Sequence, residues 1–239
     1  MENNTSKNKL VNDNVAFGAP NQNENKILAK TFKWMSLGLF LSGVTSILVA
    51  FNPSWYQFIL GSSFTFFGLI ILELALVWYL SARILKISKS TAQALFVAYA
   101  LLNGLTLSII FFAYEFISII NIFFSAALMF AALAYYGART KKDLTSFGRL
   151  AFFGLIGLII ATLINWLISN VLLDLILSYV GVIIFTILTA YDVQKIKKLA
   201  RSLEMQNNSE RIVIIGALQL YLDFINLFLY LLRIFGRKR

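Results

Sequence analysis

Seven apolar stretches, each close to the ~20 helical residues that a hydrocarbon core requires, leave this chain few folds to choose from. They cover residues 32–51, 58–80, 92–112, 116–136, 150–169, 172–191 and 212–232. Each is apolar throughout, whereas the strands of a membrane barrel would alternate over short segments, so a β-barrel is excluded. Inside lipid every backbone N–H and C=O must pair within the protein, and a helix does this within its own segment. The sequence therefore predicts an all-α integral membrane bundle of seven transmembrane helices. Both prolines, Pro20 and Pro53, fall outside the stretches, which predicts continuous helices.

Composition agrees. Hydrophobic residues make up 59% of the chain and charged ones 13%, against about 45–50% and 25% in soluble domains. The net charge of +10 does not indicate nucleic acid, because the basic residues form short clusters between apolar runs, where membrane topology accounts for them. There is no cysteine and no histidine. Disulfides, thiol nucleophiles, thiolate or imidazole zinc sites and every Ser–His or Cys–His catalytic arrangement are thereby removed, and a catalytic site is not expected. Any chemistry rests on carboxylates, hydroxyls and amides.

Residues 1–26 are polar and rich in asparagine, and read as a disordered cytoplasmic tail ahead of a single seven-helix domain at 27–239. The tail lacks the apolar centre of a cleavable signal peptide. The connectors predict orientation, because positive charge is retained in the cytoplasm. Lys26, Lys30 and Lys33 lie at the amino-terminal side of the first stretch; Arg83, Lys86 and Lys89 occupy the second connector; Arg139, Lys141, Lys142 and Arg149 the fourth; Lys195, Lys197, Lys198, Arg201 and Arg211 the sixth. The first, third and fifth connectors contain no lysine or arginine, and the last two hold Glu115 and Asp174. The amino terminus is therefore expected in the cytoplasm. Arg233, Arg237, Lys238 and Arg239 conflict with this pattern, leaving two expectations: a seventh helix that spans against the charge rule, or one that re-enters. Small residues at three- and four-residue spacing, Gly154, Gly157 and Ala161 or Gly38, Ser42 and Ser46, predict close helix packing.

Three acids fall in or at the ends of the apolar stretches: Glu73, Asp192 and Asp223. An ionised carboxylate at mid-membrane costs roughly 2.5–3.5 kcal/mol on insertion scales, so such residues point to function. Asp192 and Asp223 stand fifteen residues to either side of a turn at Asn207–Asn208, in the segment MQNNSE. If the last two helices meet there in a hairpin, both aspartates lie at one height, and helices packed roughly 8–10 Å apart let them share a proton. The last helix adds a polar line, Gly216, Gln219, Asp223, Asn226, Tyr230 and Arg233, on one helical face. Such a face belongs toward a wet cavity near the middle of the bundle, with Gln219, Asn226 and Tyr230 as pore-lining candidates; the alternative is that these groups only hydrogen-bond neighbouring helices. With one proton the carboxyls bind each other and tie the helices. Without it two like charges repel unless a cation or an arginine arrives, and calcium, a hard ion that takes oxygen ligands, suits Asp192 and Asp223 as a metal site. Glu73 reads either as a second cation contact or as a neutral, hydrogen-bonded acid. Arg83 lies too far along its helix to pair with it, and reads as an interface anchor or as a partner for an aspartate.

At these residues the stretches ILELALVWYLSARI, NGLTLSIIF, YDVQKI and especially ALQLYLDFINLFLYLLRIFG resemble the transmembrane Bax inhibitor motif family, from about Lys26 to Gly236. The resemblance implies seven helices with the C-terminal one wrapped by the others, a bacterial inner-membrane location, and a pH-sensitive calcium leak, with membrane lipid, calcium and protons as partners and no resident cofactor. It implies that Asp192 and Asp223 form the pH sensor and gate, that Glu73 is the second-helix glutamate and that Arg83 is the latching arginine. The sixth connector departs from compact bacterial relatives in being longer and more basic. An intramembrane aspartyl protease is the enzyme alternative, although Gln219-Leu220-Tyr221-Leu222 replaces the Gly-x-Gly that precedes the second aspartate of such proteases. A non-transporting regulator or scaffold is the third reading.

Overall fold

The computed structural model describes residues 22–84, 86–203 and 209–239; the expected tail at 1–21 and all but the last two residues of MQNNSE lie outside them. Every regular element among the described residues is helical: α1 (Gln22–Ala50), α2 (Pro53–Leu60), α3 (Ser63–Arg83), α4 (Lys89–Leu107), α5 (Ile110–Ala113), α6 (Phe116–Arg139), α7 (Thr145–Ile168), α8 (Val171–Leu203) and α9 (Ser209–Phe235). Seven spans are long and apolar enough to cross a membrane, with α4 and α5 sharing the third. Trp78, Leu128, Phe153 and Leu167 are largely exposed on their outer faces. A water-soluble bundle would not leave so much large apolar surface uncovered. The chain is an all-α membrane bundle.

Two stretches expected to be continuous are broken. The second is cut at Gly61, whose N–H closes α2 on the Gln57 carbonyl; the short α2 begins where Asn52 caps the N–H groups of Ser54 and Trp55 and Pro53 takes the first turn. That is a favourable start for a helix. The third is cut at Ser108. Its hydroxyl donates to the Leu105 carbonyl at 2.6 Å, and the backbone tightens, with Ile109 N–H donating to Thr106 and Phe111 N–H to Ser108. Serine and threonine side chains compete with the helix for its own carbonyls, which bends or ends it without proline.

The first helix starts at Gln22, inside the segment expected to be tail. Glu24 explains the early start. It sits in the first turn, where a negative charge complements the helix dipole, and its nearly inaccessible carboxylate pairs with Arg201 on α8 at 2.5 Å, with Lys197 at 4.0 Å. The 33 residues of α8 span about 50 Å at 1.5 Å per residue, more than the ~30 Å hydrocarbon core. Its last turns therefore stand beyond the membrane and organise that face: the Gln194 amide donates to the Lys142 carbonyl and accepts from Leu144 N–H, and Lys198 reaches Asp143 at 2.6 Å.

The last helix packs on α1, α4, α6 and α8. Of its membrane window 72% is buried, against 6% for α3. Leu218, Leu220, Tyr221, Leu227 and Leu232 are among its fully enclosed side chains. Close crossings rest on single glycines: a Cβ on Gly137 of α6 would overlap the Ala190 carbonyl of α8. Gly38 and Gly154 likewise sit against neighbouring helices, whereas Gly157 meets nothing within 4 Å and is not a packing residue.

The seventh helix spans. Residues 237–239 lie beside the third connector, with Glu115 N–H donating to the Arg237 carbonyl and Arg239 N–H to that of Ala113. The carboxyl terminus is thus on the opposite face from the start of α1. There the basic terminus pairs with two acids: Arg233 with Asp174 at 3.0 Å and Arg237 with Glu115 at 3.5 Å.

Candidate functional site

Two helices that pack side by side, α8 and α9, carry Asp192 and Asp223. The carboxyls lie within hydrogen-bonding reach of each other, and the residues are only 4% and 5% exposed. Gln219, one turn before Asp223, donates its amide to Asp192 Oδ1 at 2.9 Å. Two carboxyls this close can hydrogen-bond to each other only if one of them bears a proton. Asp223 Oδ2 is buried with no hydrogen-bond partner in the structure.

Beside the pair lies a pocket of about 590 Å³ between α7, α8 and α9. It exists because α7 packs along α8 and hardly touches α9. The predicted polar line faces it: Gln219, Asp223, Asn226 and Tyr230 all line the wall. Asn226 spends an amide hydrogen on the Leu222 carbonyl of its own helix, which leaves its oxygen as an acceptor. Gly216 does not belong to this wall; it is a contact for Ile196 and Thr31.

Three polar residues of the site were not anticipated. Lys195 and Arg149 line the pocket, and Lys195 lies near enough to act electrostatically on both aspartates while its ammonium rests over the Tyr191 ring at 5.8 Å. The signal was present in YDVQK, since residues three apart share a helical face. Tyr191 itself lies flat on Gly148 of α7, where any side chain would collide with the ring.

Arg83 is not at the site. It is an exposed residue in the last turn of α3, it lines neither large cavity, and no ion pair joins it to an aspartate among the described residues. The expected latch is not brought together, because α3 packs mainly on α4 and barely meets α9. Glu73 is apart as well. Its oxygens accept from Thr106 Oγ1 at 2.8 Å and Asn103 Nδ2 at 3.1 Å. Asn103 Oδ1 accepts from the Tyr221 hydroxyl at 2.7 Å, which meets Ser42 Oγ at 2.6 Å. Tyr221 precedes Asp223 by two residues, about 200° around the helix, so this network grips the opposite side of α9.

A larger cavity, about 930 Å³ between α1, α6 and α9, has an almost wholly apolar wall without a carboxylate; the Ser46 hydroxyl there donates to its own helix. It offers no chemistry. At the aspartate pocket, the donors for a metal are two carboxylates, amide oxygens and a phenol, and no cluster of three or more His, Cys, Asp or Glu exists among the described residues. Calcium takes 6–8 oxygens in a tight site. Counted as one oxygen per group, the set falls short of that number.

Comparison with known proteins places these features in context. Residues 24–239 match the family described as inhibitor of apoptosis-promoting Bax1. The inner membrane protein YbhL of Escherichia coli is 42% identical over 214 residues, covering 89% of this chain and 92% of that protein. A Borreliella burgdorferi protein is 42% identical over 217 residues, 90% and 94% of the two chains, and a Rickettsia prowazekii protein 36% over 237 residues, 98% and 95%.

Proposed function

Since this chain belongs to the family of the inhibitor of apoptosis-promoting Bax1, as a multi-pass membrane protein, we propose that it is a pH-sensitive calcium leak gated by Asp192 and Asp223. The observation that carries the reading is the meeting of two buried carboxyls beside a pocket lined by Gln219, Asn226 and Tyr230. With a proton between them, the carboxyls hold α8 against α9. When it leaves, two negative charges face each other in a poor dielectric, and the site either parts or draws in a cation. Calcium is the substrate in this scheme, met by carboxylate, amide and phenol oxygens. Conduction needs binding weak enough to release. Lys195 supplies that weakness by offsetting part of the pair's charge, a role expected of Arg83 from the family resemblance but assigned here to a residue at the site.

Two neighbouring carboxyls also suit an intramembrane aspartyl protease, and loss of substrate cleavage in Asp223→Ala would favour that reading over a leak. Flux decides first. Purified protein in calcium-loaded liposomes is expected to release calcium faster as pH rises, and absence of release at every pH contradicts the proposal. Asp143 provides the control. Its bonds from Lys198 and Thr145 lower its carboxyl from 3.8 to about 2. A lowered folded-state value means that its contribution to stability is present above the unfolded value and is lost as pH falls through about 2. Asp143 thus stays charged near neutrality, and Asp143→Asn is expected to leave the pH profile of the leak unchanged.

A further inference from the structure

The polar face of α9 continues past the aspartates, through Asn226 to Tyr230 and then Arg233, about one turn at each step. Tyr230 is the last of these on the pocket wall. Its ring stacks on Phe185 of α8 with centroids 5.9 Å apart and lies against Gly181, where a Cβ would come within 2.7 Å of it. Its hydroxyl reaches Thr162 of α7. One side chain thus ties α7, α8 and α9 where the pocket ends. Beyond it the Arg233 guanidinium lies over the same ring at 5.6 Å and donates to Asp174 Oδ1, at the start of α8, at 3.0 Å.

We infer that Tyr230, backed by the Arg233–Asp174 ion pair, is a second gate that closes the aspartate pocket toward the face carrying the carboxyl terminus. The inference deepens the leak reading and rests on it. Seven residues separate Asp223 from Tyr230, about 10 Å along the helix, so the two gates bound a short chamber walled by Gln219 and Asn226. A cation leaving toward the C-terminal face must pass first an aromatic ring and then a guanidinium. Both obstruct it, the ring by filling the space and the guanidinium by its charge. Asp174 holds that guanidinium against the ring, and Gly181 is the seat the ring occupies when the gate is shut. A side chain at Gly181 evicts the ring and loosens the closure from the other partner.

The chain contains no cysteine, so Asn226→Cys places the only thiol in the chamber. In the full chain, reconstituted with its C-terminal face accessible, a membrane-impermeant maleimide reports access from that side and does not depend on calcium. Labelling of Asn226→Cys is expected to be slow, to rise about tenfold when Tyr230→Ala is added, and to stay slow with Tyr230→Phe, which keeps the ring. Gly181→Ala in the same background is expected to raise labelling as well, and gives an answer should Tyr230→Ala fail to fold. Equal labelling with Tyr230, Tyr230→Ala and Gly181→Ala overturns the gate. Access controlled by Tyr230 in a protein that leaks no calcium keeps the gate and removes the leak reading, so the two fail separately.

Discussion

Liposomes carrying Asp223→Asn are expected to leak calcium slowly and at one rate across the pH span in which the wild type switches. The asparagine amide is nearly the shape of a protonated carboxyl but cannot lose its hydrogen, so it donates to Asp192 at every pH and keeps α8 tied to α9. Asp192→Asn does the same from the other side, its amide oxygen still able to accept from Gln219, which now donates to Asp192 Oδ1 at 2.9 Å. In the wild type the leak is expected to be low in acid, where the proposed pair keeps its proton, and to rise as the proton is lost. A one-proton switch changes the balance of closed and open forms by at most about tenfold per pH unit, which bounds the slope. Asp223→Ala separates the tie from the charge: it has no donor to hold the helices, and its leak is expected to be flat and raised. A pH response in either asparagine variant equal to that of the wild type removes the pair from the gate.

The largest expected loss of stability comes from the opposite side of the same helix. Tyr221 is fully buried on α9 and edges against Phe96 and Tyr99, with centroids 6.1 Å and 5.6 Å away. Its hydroxyl joins Ser42 of α1 to Asn103 of α4, and through Asn103 to Glu73 of α3. Four spans therefore meet on one side chain. Tyr221→Ala is expected to cost about 3–5 kcal/mol, as for other large aromatic truncations in a packed interior. Tyr221→Phe keeps the ring and removes one donor from Asn103, for about 1–3 kcal/mol. Thermal unfolding in detergent should rank wild type above phenylalanine and phenylalanine above alanine. A melting temperature unmoved by Tyr221→Ala contradicts the anchoring role. The arrangement gives α9 one side held by hydrogen bonds and aromatic packing, opposite the side on which the proposal places the proton-dependent contacts of Asp223.

Much of this was legible before any coordinates. Seven spans follow from apolar length, and the meeting of Asp192 with Asp223 was expected from their equal separation from Asn207–Asn208, a segment outside the described residues. Local competition for hydrogen bonds was harder to see. Gly61 and Ser108 end helices inside stretches whose hydropathy is uniform, since a short gap in the ladder costs little where side chains or backbone re-satisfy it. The partners of Arg233 and Arg237 were hidden for another reason. Asp174 and Glu115 are distant in sequence and are brought near only by the packing of α8, α6 and α9. Arg83 illustrates the reverse case: the family pattern implies a latch, but α3 holds that arginine at the outside of the bundle, while Lys195, one turn from Asp192, already stands beside the pair.

In the proposed mechanism, a proton held jointly by two aspartates underlies both the closure and its release. Infrared difference spectra of the reconstituted wild-type protein across a pH titration, with Asp192→Asn and Asp223→Asn to assign the protonated-carboxyl band, read that proton directly. The band is expected to belong to the pair, to vanish in both variants, and to fade over the same pH interval in which calcium release turns on. A leak that turns on while the band is unchanged, or a band that survives both substitutions, contradicts it.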